Sequence, residues 1–112
     1  MNTKILGTTG EEIATNYLKK SGYKILARNY SNQIGEIDII AKEKGTIVFV
    51  EVKARSSLAF GFPREAVGSV KQERVRKIAT SYLKETKNIG LPCRFDVVEI
   101  LGEKLTHIKN AF

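Results

Sequence analysis

The segments Ile34-Gly35-Glu36-Ile37-Asp38-Ile39-Ile40-Ala41 and Ile47-Val48-Phe49-Val50-Glu51-Val52-Lys53-Ala54-Arg55 read as two adjoining β-strands carrying an aspartate, a glutamate and a lysine. Side chains on a strand alternate between faces, so Glu51 and Lys53 share one face with Ile47 and Phe49, and Val48, Val50 and Val52 fill the other. Both faces are largely apolar, which puts three charges inside a buried sheet. Buried charges need a partner, a metal or a chemical task. Two carboxylates and an amine suit phosphodiester hydrolysis. There Asp38, Glu51 and the Val52 carbonyl would hold a hard divalent cation, Mg²⁺ or Mn²⁺. Lys53 would position or polarise the attacking water and offset charge in the transition state.

This chemistry depends on hairpin register. With Lys44-Gly45 as a two-residue turn, Glu43 pairs with Thr46 and Asp38 falls opposite Glu51, with Cβ atoms about 5 Å apart. A slip of one residue would send Asp38 to the other face. Ahead of the hairpin, Ile13, Ala14, Tyr17 and Leu18 keep the spacing of a helix packed by one face, over about Thr9 to Lys20, and Ser21-Gly22 closes it. Tyr23 to Tyr30 reads as a strand, with Ser31-Asn32-Gln33 as a turn. Ser56 to Phe62 lacks periodicity and reads as a mobile loop. Pro63 then suits the first turn of a second helix reaching about Lys87, with Val67, Val70, Val75, Ile78, Ala79, Tyr82 and Leu83 at helical spacing. Arg94–Leu101 and Lys104–Ile108 form a closing hairpin around Gly102-Glu103. The order α-β-β-β-α-β-β predicts one α/β domain with a mixed central sheet flanked by helices.

The chain has 112 residues, 42% of them hydrophobic and 28% charged, which is ordinary for a globular domain. No run approaches the roughly 20 apolar residues of a membrane span. The start of the chain lacks a secretory signal and there is one cysteine, Cys93, so a reducing, cytoplasmic setting is expected. The net charge is +7. Much of it gathers in residues 64–87, where Arg64, Lys71, Arg74, Arg76, Lys77, Lys84 and Lys87 face Glu65, Glu73 and Glu85. Such a surface favours a polyanion such as nucleic acid, although a solvated lysine-rich helix explains it as well.

The motifs as a set resemble a known family. They are Gly10-Glu11-x-x-Ala14-x-x-Tyr17-Leu18, Gly22-Tyr23-x-Ile25-Leu26-x-x-Asn29-Tyr30, Gly35-Glu36-Ile37-Asp38 and Val48-Phe49-Val50-Glu51-Val52-Lys53-x-Arg55. Phe60-Gly61-x-Pro63, Lys71 and Arg94-x-Asp96-Val97-Val98 continue the series. Together they resemble the small bacterial YraN-like family of the restriction-endonuclease-like superfamily, which is similar in turn to archaeal Holliday-junction resolvases. The resemblance implies the restriction-endonuclease-like fold. It also implies an active site of Glu11, Asp38, Glu51 and Lys53 for a metal-dependent, structure-selective DNA endonuclease. Fold membership alone does not establish catalysis. The rival readings are a nucleic-acid-binding module, silent alone or acting with a partner protein, and an adaptor for acidic protein. DNA is favoured over RNA, no membrane is expected, and a homodimer is left open.

Other residues carry competing readings. Thr8-x-x-Glu11 and Thr9-x-x-Glu12 both match a helix capping box. Arg55 and Arg64 flank the 56–62 loop and suit phosphate contacts, because guanidinium pairs bidentately with phosphate. Lys71, Gln72 and Arg74 open the basic helix and could face a phosphate backbone or only water. Glu36 reads as a strand-end charge or as support for Asp38. Phe60 and Phe62 suit a hydrophobic staple better than base stacking. Tyr17 and Tyr82 are expected in the core, Cys93 buried, and His107 structural because it lacks metal-spaced partners. Asp96 is explained by an ion pair with Arg94 as well as by chemistry.

Overall fold

Tight turns set most of the sheet. Lys44 and Gly45 both take positive φ, 49° and 85°, as a two-residue hairpin turn with right-handed strand twist demands. The pairing that follows is Glu43 with Thr46, Lys42 with Ile47, and so on to Ile39 with Val50. This is the expected register.

The computed structural model describes residues 3–55 and 68–112. Their elements are α1 (Thr3–Lys20), β1 (Lys24–Ser31), β2 (Glu36–Glu43), β3 (Thr46–Arg55), α2 (Ser69–Glu85), β4 (Cys93–Leu101) and β5 (Lys104–Ile108). The five strands form one sheet in the order β1-β2-β3-β4-β5. Three contacts are antiparallel, and β3–β4 is parallel. Hairpin connections explain the antiparallel pairs, while β3 and β4 are joined by the segment containing α2, as a parallel crossover needs. The element order is the one expected. The predicted loop over 56–62, the helix start at Pro63, Phe60, Phe62, Arg64 and Val67 lie outside the described residues. No helix among the described residues is long and apolar enough to cross a membrane.

The helices cover opposite faces of the sheet. α1 packs Ala14 and Leu18 on Ile39, Val48, Val50 and Val98. α2 packs Val75, Ile78, Tyr82 and Leu83 on the side of Ile40 and Phe49. Each fully buried Val, Leu, Ile or Phe among them contributes about 1.5–3 kcal/mol before the entropy of ordering is subtracted. Glycines permit close approach at two points. A Cβ at Gly10 would lie 3.0 Å from Ala54 Cβ, and one at Gly35 would lie 3.3 Å from both Arg74 Cδ and Ile78 Cδ1. The first presses α1 onto the end of β3. The second seats the N-terminal half of α2 on the turn before Asp38.

Several local expectations are corrected. α1 begins at Thr3, so Thr8 and Thr9 lie inside the helix and neither can cap it. The capping-box reading of Glu11 and Glu12 therefore fails. Ile13 is 42% exposed, and Thr15 turns inward in its place, its hydroxyl donating to the Glu11 carbonyl at 2.8 Å. That bond satisfies the hydroxyl and makes its burial tolerable. Val70 is 73% exposed because it precedes the part of α2 that meets the sheet. Cys93 is exposed at the first position of β4.

Candidate active site

Asp38 sits where β2 leaves β3. The β2–β3 ladder stops at Ile39 with Val50, whereas β1–β2 pairing continues to Ser31 with Glu36. Past that point the Val52 N–H has lost its ladder acceptor, and Asp38 Oδ2 accepts from it at 2.8 Å. A side chain thus replaces a backbone carbonyl and is fixed in place by doing so. Within an extended strand a residue's N–H and C=O point to the same side. The Val52 carbonyl is therefore directed toward the same gap as the Asp38 carboxylate.

Glu51 lies one residue earlier on β3 and is only 2% exposed. No donor among the described residues hydrogen-bonds its Oε1. The Asp38 carboxylate lies beside Glu51 and accepts rather than donates, so a proton or a cation must join the two. Burial pushes the Glu51 carboxyl up to about 8, the Asp38 charge adds to this, and Lys71 and Lys53 offset part of it. Lys71 Nζ, from the first turn of α2, stands 3.9 Å from Glu51 Oε2. Lys53 is half-buried. Burial lowers its pKa and the Lys71 ammonium beside it lowers it further, against the pull of Glu51 and Asp38.

The structure thus brings Asp38, Glu51 and Lys53 together, as expected, and adds Lys71 to them. Glu11 lies on α1, where Arg28 Nη2 is 3.7 Å from its Oε2, and Arg28 is in register with Ile39, the residue after Asp38. Arg55 shares the strand face of Glu51 and Lys53 and ends β3. Arg74 is exposed on α2, its stem over Gly35, beside a shallow groove lined by Ile34, Val70, Glu73 and Lys77. Arg76 turns instead toward the Phe95 and Phe112 rings, 5.8 and 5.4 Å from their centroids. Glu36 is exposed at the strand end, so the simpler reading of it holds.

One acidic residue escaped sequence reasoning. Glu99 is in register with Lys53 across the parallel β3–β4 pair, on the same face, and is 7% exposed. The available signal was a charge sharing parity with Val97 in a strand that is apolar on both faces.

The donor set fits a hard divalent cation. It offers oxygen atoms only, and one of them is a buried carboxylate oxygen with no donor. No group of three or more His, Cys, Asp or Glu side chains suited to a metal occurs among the described residues. Asp38, Glu51 and the Val52 carbonyl would then share an ion with several waters, the arrangement magnesium favours.

The opposite face holds a second polar cluster. Asp96 is fully buried and accepts from Arg94 Nε at 3.0 Å and the Asn110 N–H at 3.1 Å, with His107 Nε2 at 2.7 Å. Arg94 also donates to Glu43 and to the Tyr23 hydroxyl, and His107 Nδ1 meets the Tyr17 hydroxyl at 2.9 Å. Burial would raise the Asp96 carboxyl, but the bonds from His107, Arg94 and Asn110 outweigh it and hold the group below its usual range. The expected Arg94–Asp96 pair is present, and His107 is structural as anticipated.

Known proteins share this chain's full length. A UPF0102 protein of Lachnoclostridium phytofermentans is 51% identical over 113 positions, covering 100% of this chain and 96% of that protein. One from Caldicellulosiruptor saccharolyticus is 48% identical, with 100% of both covered. One from Clostridioides difficile is 46% identical, again with 100% of each. The model of the uncharacterised protein family UPF0102 matches residues 10–100, a span that runs from Gly10 within α1 through both motif strands and nearly all of β4. With that match and full-length identities near one half, the chain belongs to the UPF0102 family.

Proposed function

We propose that this protein is a divalent-metal-dependent nuclease of restriction-endonuclease-like fold, hydrolysing phosphodiester bonds in DNA, with branched DNA as the favoured substrate. One observation carries the proposal. Two carboxylates, Asp38 and Glu51, are held side by side in a buried sheet, Glu51 Oε1 has no hydrogen-bond partner among the described residues, and two lysines border the pair. Building such a site costs stability, because like charges repel and buried charges lose hydration.

A bound Mg²⁺ or Mn²⁺ would neutralise charge developing on the phosphate and lower the pKa of the attacking water. Asp38 and Glu51 with the Val52 carbonyl are the ligands this chain offers. The Val52 N–H bond to Asp38 keeps that carboxylate from rotating away. Lys53 lies beside the carboxylates, placed to polarise the attacking water and to offset charge in the transition state. The water oxygen bonds to phosphorus as the P–O bond to the leaving oxygen breaks, and the leaving oxygen takes up a proton. Glu11, paired with Arg28, would complete the site. Arg55 and Arg74 supply positive charge for the phosphate backbone, in the role expected for Arg64 as well.

The test is cleavage. Purified protein should cut at least one of a set of branched, duplex and single-stranded DNA substrates with Mn²⁺ and none with EDTA. Asp38→Asn, Glu51→Gln and Lys53→Ala should each lower the rate by at least about a hundredfold while substrate affinity stays within a few-fold. Cleavage that survives Asp38→Asn would overturn the proposal. Salt-sensitive DNA binding without cleavage under all conditions would favour the rival, a binding module silent on its own.

A further inference from the structure

Lys71 stands where a cation would interfere with it. Its ammonium is 3.9 Å from Glu51 Oε2, and the Lys53 ammonium is also close to it. It projects from the first turn of α2, and its side chain is 36% exposed, so one end of its reach is the buried carboxylate and the other is solvent. Such a long, flexible side chain can exchange the two at little structural cost. Gly35 makes this position possible by allowing the N-terminal half of α2 to sit close against the turn before Asp38.

We infer that Lys71 is an exchangeable counter-ion. With no divalent cation bound it is the counter-ion of the Asp38–Glu51 pair, it gives way when one enters, and it then contacts a phosphate of the nucleic acid. The inference rests on the metal-site reading above and adds an order to it. A divalent ion at Glu51 and an ammonium in van der Waals range of the same carboxylate repel one another. The displaced ammonium keeps its charge and lies beside the place the scissile phosphate must occupy. Metal and nucleic acid should accordingly assist each other's binding, because the phosphate offers Lys71 the partner that the metal has taken from it.

Two variants separate this from a structural role. Lys71→Met keeps the length and removes the charge, and Lys71→Arg keeps the charge. Mn²⁺ binding to the free protein is read by electron paramagnetic resonance, and binding of a short DNA duplex is read by fluorescence anisotropy with and without Ca²⁺. Lys71→Met should bind Mn²⁺ about tenfold more tightly than the unaltered protein, while Lys71→Arg stays within about twofold. Ca²⁺ should strengthen duplex binding several-fold in the unaltered protein and leave Lys71→Met unchanged. Equal Mn²⁺ affinity in all three proteins would overturn the inference and leave the metal site standing. Failure of all three to bind Mn²⁺ at millimolar concentration would instead remove the metal-site reading on which it rests. Tighter Mn²⁺ binding with duplex binding equally enhanced by Ca²⁺ in Lys71→Met would overturn the transfer to phosphate.

Discussion

The two faces of the sheet bury charge in opposite ways. On the α1 face, Asp96 receives three partners, and Arg94 and His107 are each engaged at both ends. On the α2 face, Glu51 is nearly as buried, yet its neighbours are another carboxylate and a lysine ammonium at 3.9 Å. Satisfied networks hold a carboxylate ionised and bind elements together. An incompletely satisfied one strains the fold and persists where something else completes it. The difference between Asp96 and Glu51 therefore distinguishes the structural network from the candidate site more sharply than burial or charge alone.

Breaking the satisfied side should have the largest effect. Asp96→Ala leaves Arg94 and His107 without their shared acceptor. It should cost about 3–5 kcal/mol in denaturant unfolding, as expected for removing one partner of a buried charge pair. A loss below about 1 kcal/mol would mean that the network contributes little.

The opposite sign is expected across the sheet, and pH exposes it. The folded state keeps a proton on Glu51 up to about pH 8, while the unfolded chain sheds it near 4.5. Its contribution is therefore present at acid pH and lost as pH rises between those values, by about 1.4 kcal/mol per pH unit at most. Asp96 behaves in reverse. Its lowered pKa gives stability that is present above the ordinary value of 3.8 and is lost as pH falls through the lower folded value. With chelator present, Glu51→Gln should be more stable than the unaltered protein by about 2–3 kcal/mol at pH 9 and similar to it at pH 5. Urea unfolding at the two pH values checks this. A destabilised Glu51→Gln at pH 9 would remove the contrast between the faces.

The site was legible in the sequence to the extent that local rules determine it. Lys44-Gly45 selects a two-residue turn, the turn sets Glu43 against Thr46, and counting along the strands then brings Asp38 to Glu51. The Arg94–Asp96 pair was readable for the same reason, since two residues apart on a strand means one face. What could not be read depends on contacts across layers. Lys71 is 20 positions from Glu51 and meets it only because α2 crosses the sheet above Gly35. Asp96 finds His107, and Arg94 finds Glu43 and Tyr23, partners from two other strands and a turn. At the other end of the chain, threonines suggestive of caps misled the reading, because α1 continues past them to Thr3. Glu11 thereby lost its capping role, and the structure engages it with Arg28.

Proton release on metal binding tests the central claim most directly. Calorimetric titration of Mn²⁺ into the protein at pH 7, in buffers of differing ionisation enthalpy, reports how many protons leave as the ion binds. With Glu51 raised to about 8, close to one proton should be released per Mn²⁺ bound. Glu51→Gln should release none and bind at least about tenfold more weakly. Mn²⁺ binding with a heat independent of buffer, or undiminished in Glu51→Gln, would contradict the account.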